Sequence, residues 1–500
     1  MISEADPSYP ALYQINTRVW LRTLSTRMGQ RVTLADVPDA ELDRIAEHGF
    51  DWVWLLSVWQ TGAAGRATSR THSEWVADFH RTLPDLSDTD ICGSGFAITG
   101  YTVADMLGGD EALASLRERL AARGLRLMLD FVPNHTAPDH PWVRENPDFF
   151  VAGTDADLDT APHNFTRVET NAGSKVLARG RDPYFPGWPD TLQLDYGNAT
   201  LQDARVAELC AIADRCDGVR CDMAMLVVPE VFRRTWGIDM APFWPRAISA
   251  ARETHPGFVF MAEVYWDMEW ELQQQGFDVC YDKRLYDRLR DGAAWRVRDH
   301  LAADLHYQRK LVRFLENHDE QRAATTFPWP MQAAAAVVNY LAPGWRFFHQ
   351  GQLDGRRVKI SPHLCRGPDE APDADVRTFY DRLLAVLREP AFRNGTWDRI
   401  EPRPADPGGA PGDGTHDGFV AHAWRGVAGD RWVVVVNLQN REGYCRLRLP
   451  FGELAGGPAR LDDRLGNETY RRDGDELLGP GLFIAHRPWQ ANVFQVTVED

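Results

Sequence analysis

The sequence predicts an α/β protein, either a parallel barrel or a doubly wound sheet, followed by an all-β terminal domain. Three observations carry this. Short runs that are apolar on both faces recur along the first 400 residues, helical stripes lie between them, and from about Asn394 the pattern changes to strand after strand. A run without a polar face belongs to a strand buried on both sides, as in a parallel sheet covered by helices. Alternation of such strands with helices is what α/β architecture requires.

In order along the chain, Asp51–Trp59 (DWVWLLSVW) is the first such run. Glu111–Arg123 then sets Leu113, Leu116 and Leu120 on one helical stripe and stops at Gly124, a natural C-cap. Leu125–Val132 (LRLMLDFV) reads as the next strand. From His135 to about Leu194 the chain is rich in Pro, Gly, Asp and Asn and shows no clear helix; it is too long for a plain βα loop and reads as an inserted subdomain. Leu201–Arg215 places Val206, Leu209 and Ala213 on one helix face. Phe258–Val264, Leu311–Leu315 and Trp345–His349 are further buried strands. Val376–Glu389 carries Phe379, Leu383, Leu384 and Leu387 and stops at Pro390. Beyond it, Gly418–Trp424, Arg431–Leu438, Tyr444–Leu449, Leu482–His486 and Asn492–Val498 read as strands of a sandwich, with Pro402–Gly414 as a turn-rich connection.

Composition excludes several functions. Hydrophobic residues at 44% and charged residues at 25% rule out wholesale disorder. A net charge of −17 makes nucleic acid or an anionic membrane a poor partner, whereas a neutral ligand feels it little. No apolar run is long enough to span a bilayer. The start, MISEADPSYPAL, lacks the basic and apolar regions of a secretory signal, and the seven cysteines are scattered with no C-x-x-C, so the expected location is the reducing cytoplasm.

Polar clusters sit at the downstream ends of apolar strands, where parallel barrels and sheets build their sites. They are Asp130-Phe-Val-Pro-Asn134-His135, Asp217-Gly-Val-Arg220-Cys-Asp222, Ala262-Glu263, and Glu316-Asn317-His318-Asp319. Carboxylates gathered this way suit acid–base work at an acetal, where one group protonates the leaving oxygen and another attacks or activates water. Crowding separates their pKa values and leaves one protonated and one ionised. Arg220 and Asp222 stand two apart, so on a strand they point the same way and the guanidinium can keep Asp222 ionised.

These clusters resemble, in order, the four signature regions of the α-amylase family of retaining glycoside hydrolases and transglycosylases: DFVPNH, GVRCD, AEV and ENHD. YQINTRVWL is similar to that family's first barrel strand, GYTVAD to the segment carrying its sugar-stacking Tyr, LQLDYGN to the chain leaving domain B, and FFHQGQ to the eighth strand. The resemblance implies a (β/α)8 TIM barrel over residues 1–135 and 195–393, a small domain B (136–194) inserted after strand three, and a C-terminal β-sandwich (394–500). It implies Asp222 as nucleophile, Glu263 as general acid/base and Asp319 as the third carboxylate, with Tyr101, His135, Arg220 and His318 around the reacting sugar.

The departures from the family are informative. Relatives with calcium between barrel and domain B pair the region-one Asn with a later Asp. Here Asn134 is present and Gln193 stands where that Asp belongs, so no metal or other cofactor is expected, calcium being the unfavoured alternative. Asp155, Asp157 and Asp159 read as solvated loop charge. The Lys-His grip of long-chain amylases is replaced by Met223-Ala-Met225, and the chain-end Asp three residues before Tyr101 by Ile98. The segment between Trp59 and Gly95 is longer than the family's usual loop, and Trp59, Trp142, Trp188 and Trp266 are candidate sugar platforms. The expected activity is hydrolysis of short soluble α-glucosides. Transglycosylation or isomerisation at the same site, and a non-catalytic binding relative, are the competing readings.

Overall fold

The apolar runs close on themselves. In the computed structural model, which describes residues 7–405 and 414–499, eight parallel strands form a closed barrel. They are β1 (Ala11–Asn16), β2 (Trp52–Leu56), β3 (Arg126–Phe131), β4 (Gly218–Cys221), β5 (Val259–Ala262), β6 (Val279–Tyr281), β7 (Leu311–Arg313) and β8 (Trp345–His349). Each pairs with its neighbours in sequence, and β8 returns to β1, with Ala11 opposite Arg346. Leu127, Met128 and Leu129 of β3 are all fully buried, although neighbours on a strand point to opposite faces, so both faces of β3 are covered. Each such side chain contributes about 1.5–3 kcal/mol on burial. The register sets Arg220 of β4 opposite Asp130 of β3 and Met261 of β5, so Asp222 and Glu263, each one residue beyond its strand, lie at the same end of the barrel.

The helices between strands follow the local chemistry. Ala199–Ala213 starts where the Asn198 side chain accepts the Thr200 and Leu201 N–H groups (2.9 and 3.3 Å). Gly109–Ala121 is followed by Gly124 at φ +74°. Strand β6 is absent from the sequence reading: its three residues, Val-Cys-Tyr, make too short an apolar run to stand out.

Between β3 and β4 the chain corrects the expectation of a helix-free segment. It contains two short helices, Pro141–Glu145 and Asp155–Thr160, and a hairpin of Phe165–Thr170 with Gly173–Ala178. Asp157 closes a capping box with Thr154, and Asp155 pairs with Arg167, so two of the acids read as free loop charge are helix-start residues. Trp142 packs edge-on against Phe149 at 5.2 Å, and Phe150 is 2% exposed.

The segment from Gly62 to Ser94 is a second addition. It forms two consecutive helices, α1 (Ala63–Thr71) and α2 (Ser73–Thr82), whose Phe79 and Leu83 pack with Ile91 and Leu364 in a small core of their own.

The C-terminal part is all β, as its strand pattern predicts. A six-stranded antiparallel sheet faces the pair Gly443–Leu447 and Leu482–His486 around an apolar interior. The sheet includes Thr396–Ile400, Pro458–Asp463 and Thr469–Asp473, which the sequence reading passed over. Trp424 docks it on the barrel, its indole N–H donating to the Leu341 carbonyl at 2.8 Å. Residues 406–413 of the expected Pro402–Gly414 turn lie outside the described residues. Among the described residues no helix is long and apolar enough to cross a membrane.

Candidate active site

Asp222, Glu263 and Asp319 line one cavity of about 270 Å³ at the C-terminal end of the barrel, together with His135. Arg220, 1% exposed, organises it: Nη1 lies 2.6 Å from Asp222 and Nη2 2.8 Å from Glu263, with Asp130 at 3.8 Å. The i, i+2 reading of β4 thus holds, and the same guanidinium also bridges to the next strand. Burial drives Asp222 above the ordinary carboxylate range, and Arg220 opposes this. Burial raises Glu263 to about 7, again against Arg220, with the neighbouring Asp222 charge adding to the rise. Glu263 Oε2 also accepts the Met223 N–H at 2.6 Å, and the Tyr265 hydroxyl donates to Oε1 at 3.0 Å.

Asp319 is placed by its own loop: Asn317 Oδ1 accepts the Asp319 and Glu320 N–H groups, both at 2.8 Å. His318 receives the Gln14 amide on Nδ1 at 2.9 Å, which leaves its proton on Nε2, 2.8 Å from Asp319 Oδ2. His135 lies on a two-residue strand opposite Gln193, and burial, then Arg205, holds its pKa down to about 3, so it is neutral.

Arg220 and His318 reach the cavity through the carboxylates they hold, whereas Tyr101 is turned elsewhere. It does not line the cavity. Its ring packs on Trp59 and Phe131 and its hydroxyl donates to the Val132 carbonyl at 3.1 Å, which directs it into the barrel wall. Phe96 does line the cavity, stacked on His318 at 5.4 Å with Arg220 over its face at 5.3 Å. Gly95 permits this, because a Cβ there would lie 1.9 Å from Ser57 Oγ. We expect Phe96→Ala to lose about tenfold in kcat/KM on an α-glucoside. Tyr101→Phe should stay within about twofold while losing about 1 kcal/mol of stability. Steady-state kinetics and thermal melts check both.

Of the four tryptophans, Trp188 lines this cavity and Trp266 the wider clefts beyond it. Trp59 is fully buried, its indole N–H on the Asp130 carbonyl at 2.7 Å, and Trp142 stays within its aromatic pair. The structure adds residues that the sequence reading passed over. Trp75 of α2 touches His363 at 4.5 Å between ring centres, and both line the cavity with Ser94, Pro362, Asp190 and Thr191. Tyr265 had a signal, since it stands two residues beyond Glu263 as Asp222 does beyond Arg220. A cleft of about 840 Å³ opens past Met223 and Tyr265, lined by Trp266, Lys283 and Trp295 among others.

The residues at the junction of barrel and insertion do not fit a calcium ion. A hard cation needs six to eight oxygens converging on a void. Here the Asn134 and Leu194 oxygens are taken up by the Gln193 amide nitrogen, which lies 3.0 Å from the Asn134 side-chain oxygen and, at the same distance, from the Asn134 and Leu194 carbonyls. Among the described residues no group of three or more His, Cys, Asp or Glu is arranged to hold a metal.

Residues 39–167, spanning β2 and β3, match the family model for the α-amylase catalytic domain. Over those residues the chain resembles the α-amylase catalytic domain. It is 23% identical over 79% of its length to the α-amylase MalA of Haloarcula japonica, and 27% identical over 34% to a trehalose synthase of a Pimelobacter species. It spans 51% and 31% of those relatives' own lengths. The likeness of fold to solved α-amylases extends over the whole chain. The noncanonic maltogenic α-amylase AmyB of Thermotoga neapolitana superposes with a TM-score of 0.69 at 17% identity, and the Geobacillus thermoleovorans α-amylase complexed with acarbose with 0.66 at 18%, each covering 99% of both chains.

Proposed function

We propose that the protein is a retaining glycosidase that cleaves short soluble α-glucosides through a covalent glycosyl-enzyme. The observation that carries this is the convergence of Asp222, Glu263 and Asp319 on one cavity, with Arg220 bridging the first two. Asp222 attacks the anomeric carbon. Glu263 gives its proton to the leaving oxygen and then takes one from the incoming water. Asp319, with His318 and neutral His135, accepts and donates hydrogen bonds to the hydroxyls of the distorted sugar. Phe96 covers one face.

The short-substrate reading is supported by shape. Trp75, Pro362 and His363 wall the small cavity, and none of them lines the wider cleft past Met223 and Tyr265. That arrangement suits one sugar on the reacting side and room for a leaving group on the other. The same wide cleft favours a second reading, in which a sugar rather than water intercepts the intermediate. We further propose division into barrel (1–135, 195–393), inserted domain (136–194) and C-terminal sandwich (394–500), and action in the cytoplasm, which seven free thiols support. The deciding experiment is a product profile on maltose, maltotriose, trehalose, sucrose and starch, with NMR of the fresh product. An α-anomer first and faster turnover of a short substrate than of starch are expected. A β-anomer first, or fastest action on starch, would defeat the reading.

We also propose that the site works without metal, supported by the Gln193 amide at the junction. Prolonged EDTA treatment is expected to leave activity and melting temperature unchanged; a loss restored by calcium would overturn this.

A further inference from the structure

The three carboxylates described above all have partners. A fourth, Asp190, lines the same cavity, and one of its two oxygens lacks one. It is 3% exposed, and its Oδ2 has no hydrogen-bond partner. Its surroundings leave that oxygen free. The neighbouring Thr191 hydroxyl is spent within the loop, accepting the Gly180 N–H at 3.1 Å and donating to the Trp188 carbonyl at 2.9 Å. Arg179, the nearest cation by its influence on Asp190, is turned to the Pro189 carbonyl. On the other side Asp190 is backed by Gly65 of α1, where an added Cβ would come within 4.0 Å of its own. Burial, with little relief from Arg179, raises Asp190 to about 6.

Buried polar atoms are satisfied in nearly all folded proteins, and an unsatisfied one on a residue that lines a cavity is placed to meet a ligand group. A lone carboxylate oxygen asks for a donor. In a cavity that already holds Asp222, Glu263 and Asp319, an anionic ligand is repelled, and a sugar hydroxyl is a donor that carries no negative charge.

We propose that Asp190 is a specificity residue: its Oδ2 accepts a hydrogen bond from one particular hydroxyl of the glucosyl unit in the cavity. The inserted helices α1 and α2 then act on specificity twice, Gly65 backing Asp190 and Trp75 facing the same sugar. This rests on the proposed α-glucoside reading and deepens it.

The test pairs enzyme variants with methyl α-glucosides lacking the 2-, 3-, 4- or 6-hydroxyl. Calorimetric binding is measured for wild type, Asp190→Asn and Asp190→Ala, with turnover of the 4-nitrophenyl counterparts alongside. One deoxy sugar should bind wild type about tenfold or more weakly, as expected for a lost hydrogen bond to a charged acceptor. The same deletion should cost Asp190→Ala almost nothing and Asp190→Asn an intermediate amount, while the other three deletions cost all three proteins alike. The proposal falls if no deoxy sugar couples to Asp190, if both variants bind the parent glucoside as wild type does, or if wild type binds no α-glucoside. Binding that couples to Asp190 without turnover of any substrate upholds this inference and defeats the hydrolase reading.

Discussion

Asp222→Asn is expected to lower kcat by about 10⁴-fold while the protein stays folded. An amide oxygen is too poor a nucleophile to displace the aglycone, and no other group can take its place: Glu263 Oε2 is held by Arg220 and the Met223 N–H, and Asp319 is committed to His318. The fold should survive, because the new amide can still accept from Arg220 Nη1, and the guanidinium keeps Glu263 at 2.8 Å and Asp130 at 3.8 Å as counter-charges. Removing one of several crowded buried acids also relieves repulsion. Kinetics on the best short substrate, a melting curve, and mass-spectrometric trapping of a fluorinated glucosyl unit on Asp222 in the wild type check this. Retention of more than a few per cent of kcat would remove Asp222 from the role.

The second large effect is expected in the pH profile. Glu263 must be protonated to act as acid, and its pKa stands at about 7, so kcat/KM should fall as pH rises through about 7. Asp222 must be ionised, so the rate should rise with pH on the acid side. The two apparent values belong to the coupled pair. In Glu263→Gln the falling limb should disappear and kcat on natural α-glucosides drop by about 10²–10⁴-fold. Substrates whose leaving group needs no proton should still form the glycosyl-enzyme, and azide should restore turnover with α-glycosyl azide as product. A falling limb that persists in Glu263→Gln would assign the acid elsewhere.

The three carboxylates of the cavity were legible in the sequence because the fold fixes position: Asp222 and Glu263 each follow their strand by one residue, and Asp319 follows β7 by six. Arg220 was legible for the same reason, through strand alternation. Tyr101 misled because the Gly-Tyr pattern is a local signal, whereas which aromatic reaches the cavity depends on the path from β2. Gly95 and the close contact with Ser57 settle that path, and they bring Phe96 to His318. Helices α1 and α2 left little trace because they pack on a small satellite cluster rather than the main core, so their apolar stripe is thin. Trp75, His363 and Asp190 come from three distant segments, and nothing in local spacing joins them.

The Gln193 contact at the root of the insertion has a consequence for how that junction opens. A junction fastened by an ion is a two-component equilibrium: its added stability grows as RT ln(1 + [L]/Kd), about 2.7 kcal/mol at a hundredfold excess over Kd, and it fades on dilution. The Gln193 amide is covalently part of the strand it fastens, so its effective supply is constant at every solute concentration. Its three acceptors, the Asn134 side chain and the Asn134 and Leu194 carbonyls, are neutral as well, so ionic strength has little hold on the contact. On the metal-free reading proposed above, opening there is expected to be a unimolecular event, governed by temperature and denaturant and insensitive to added calcium.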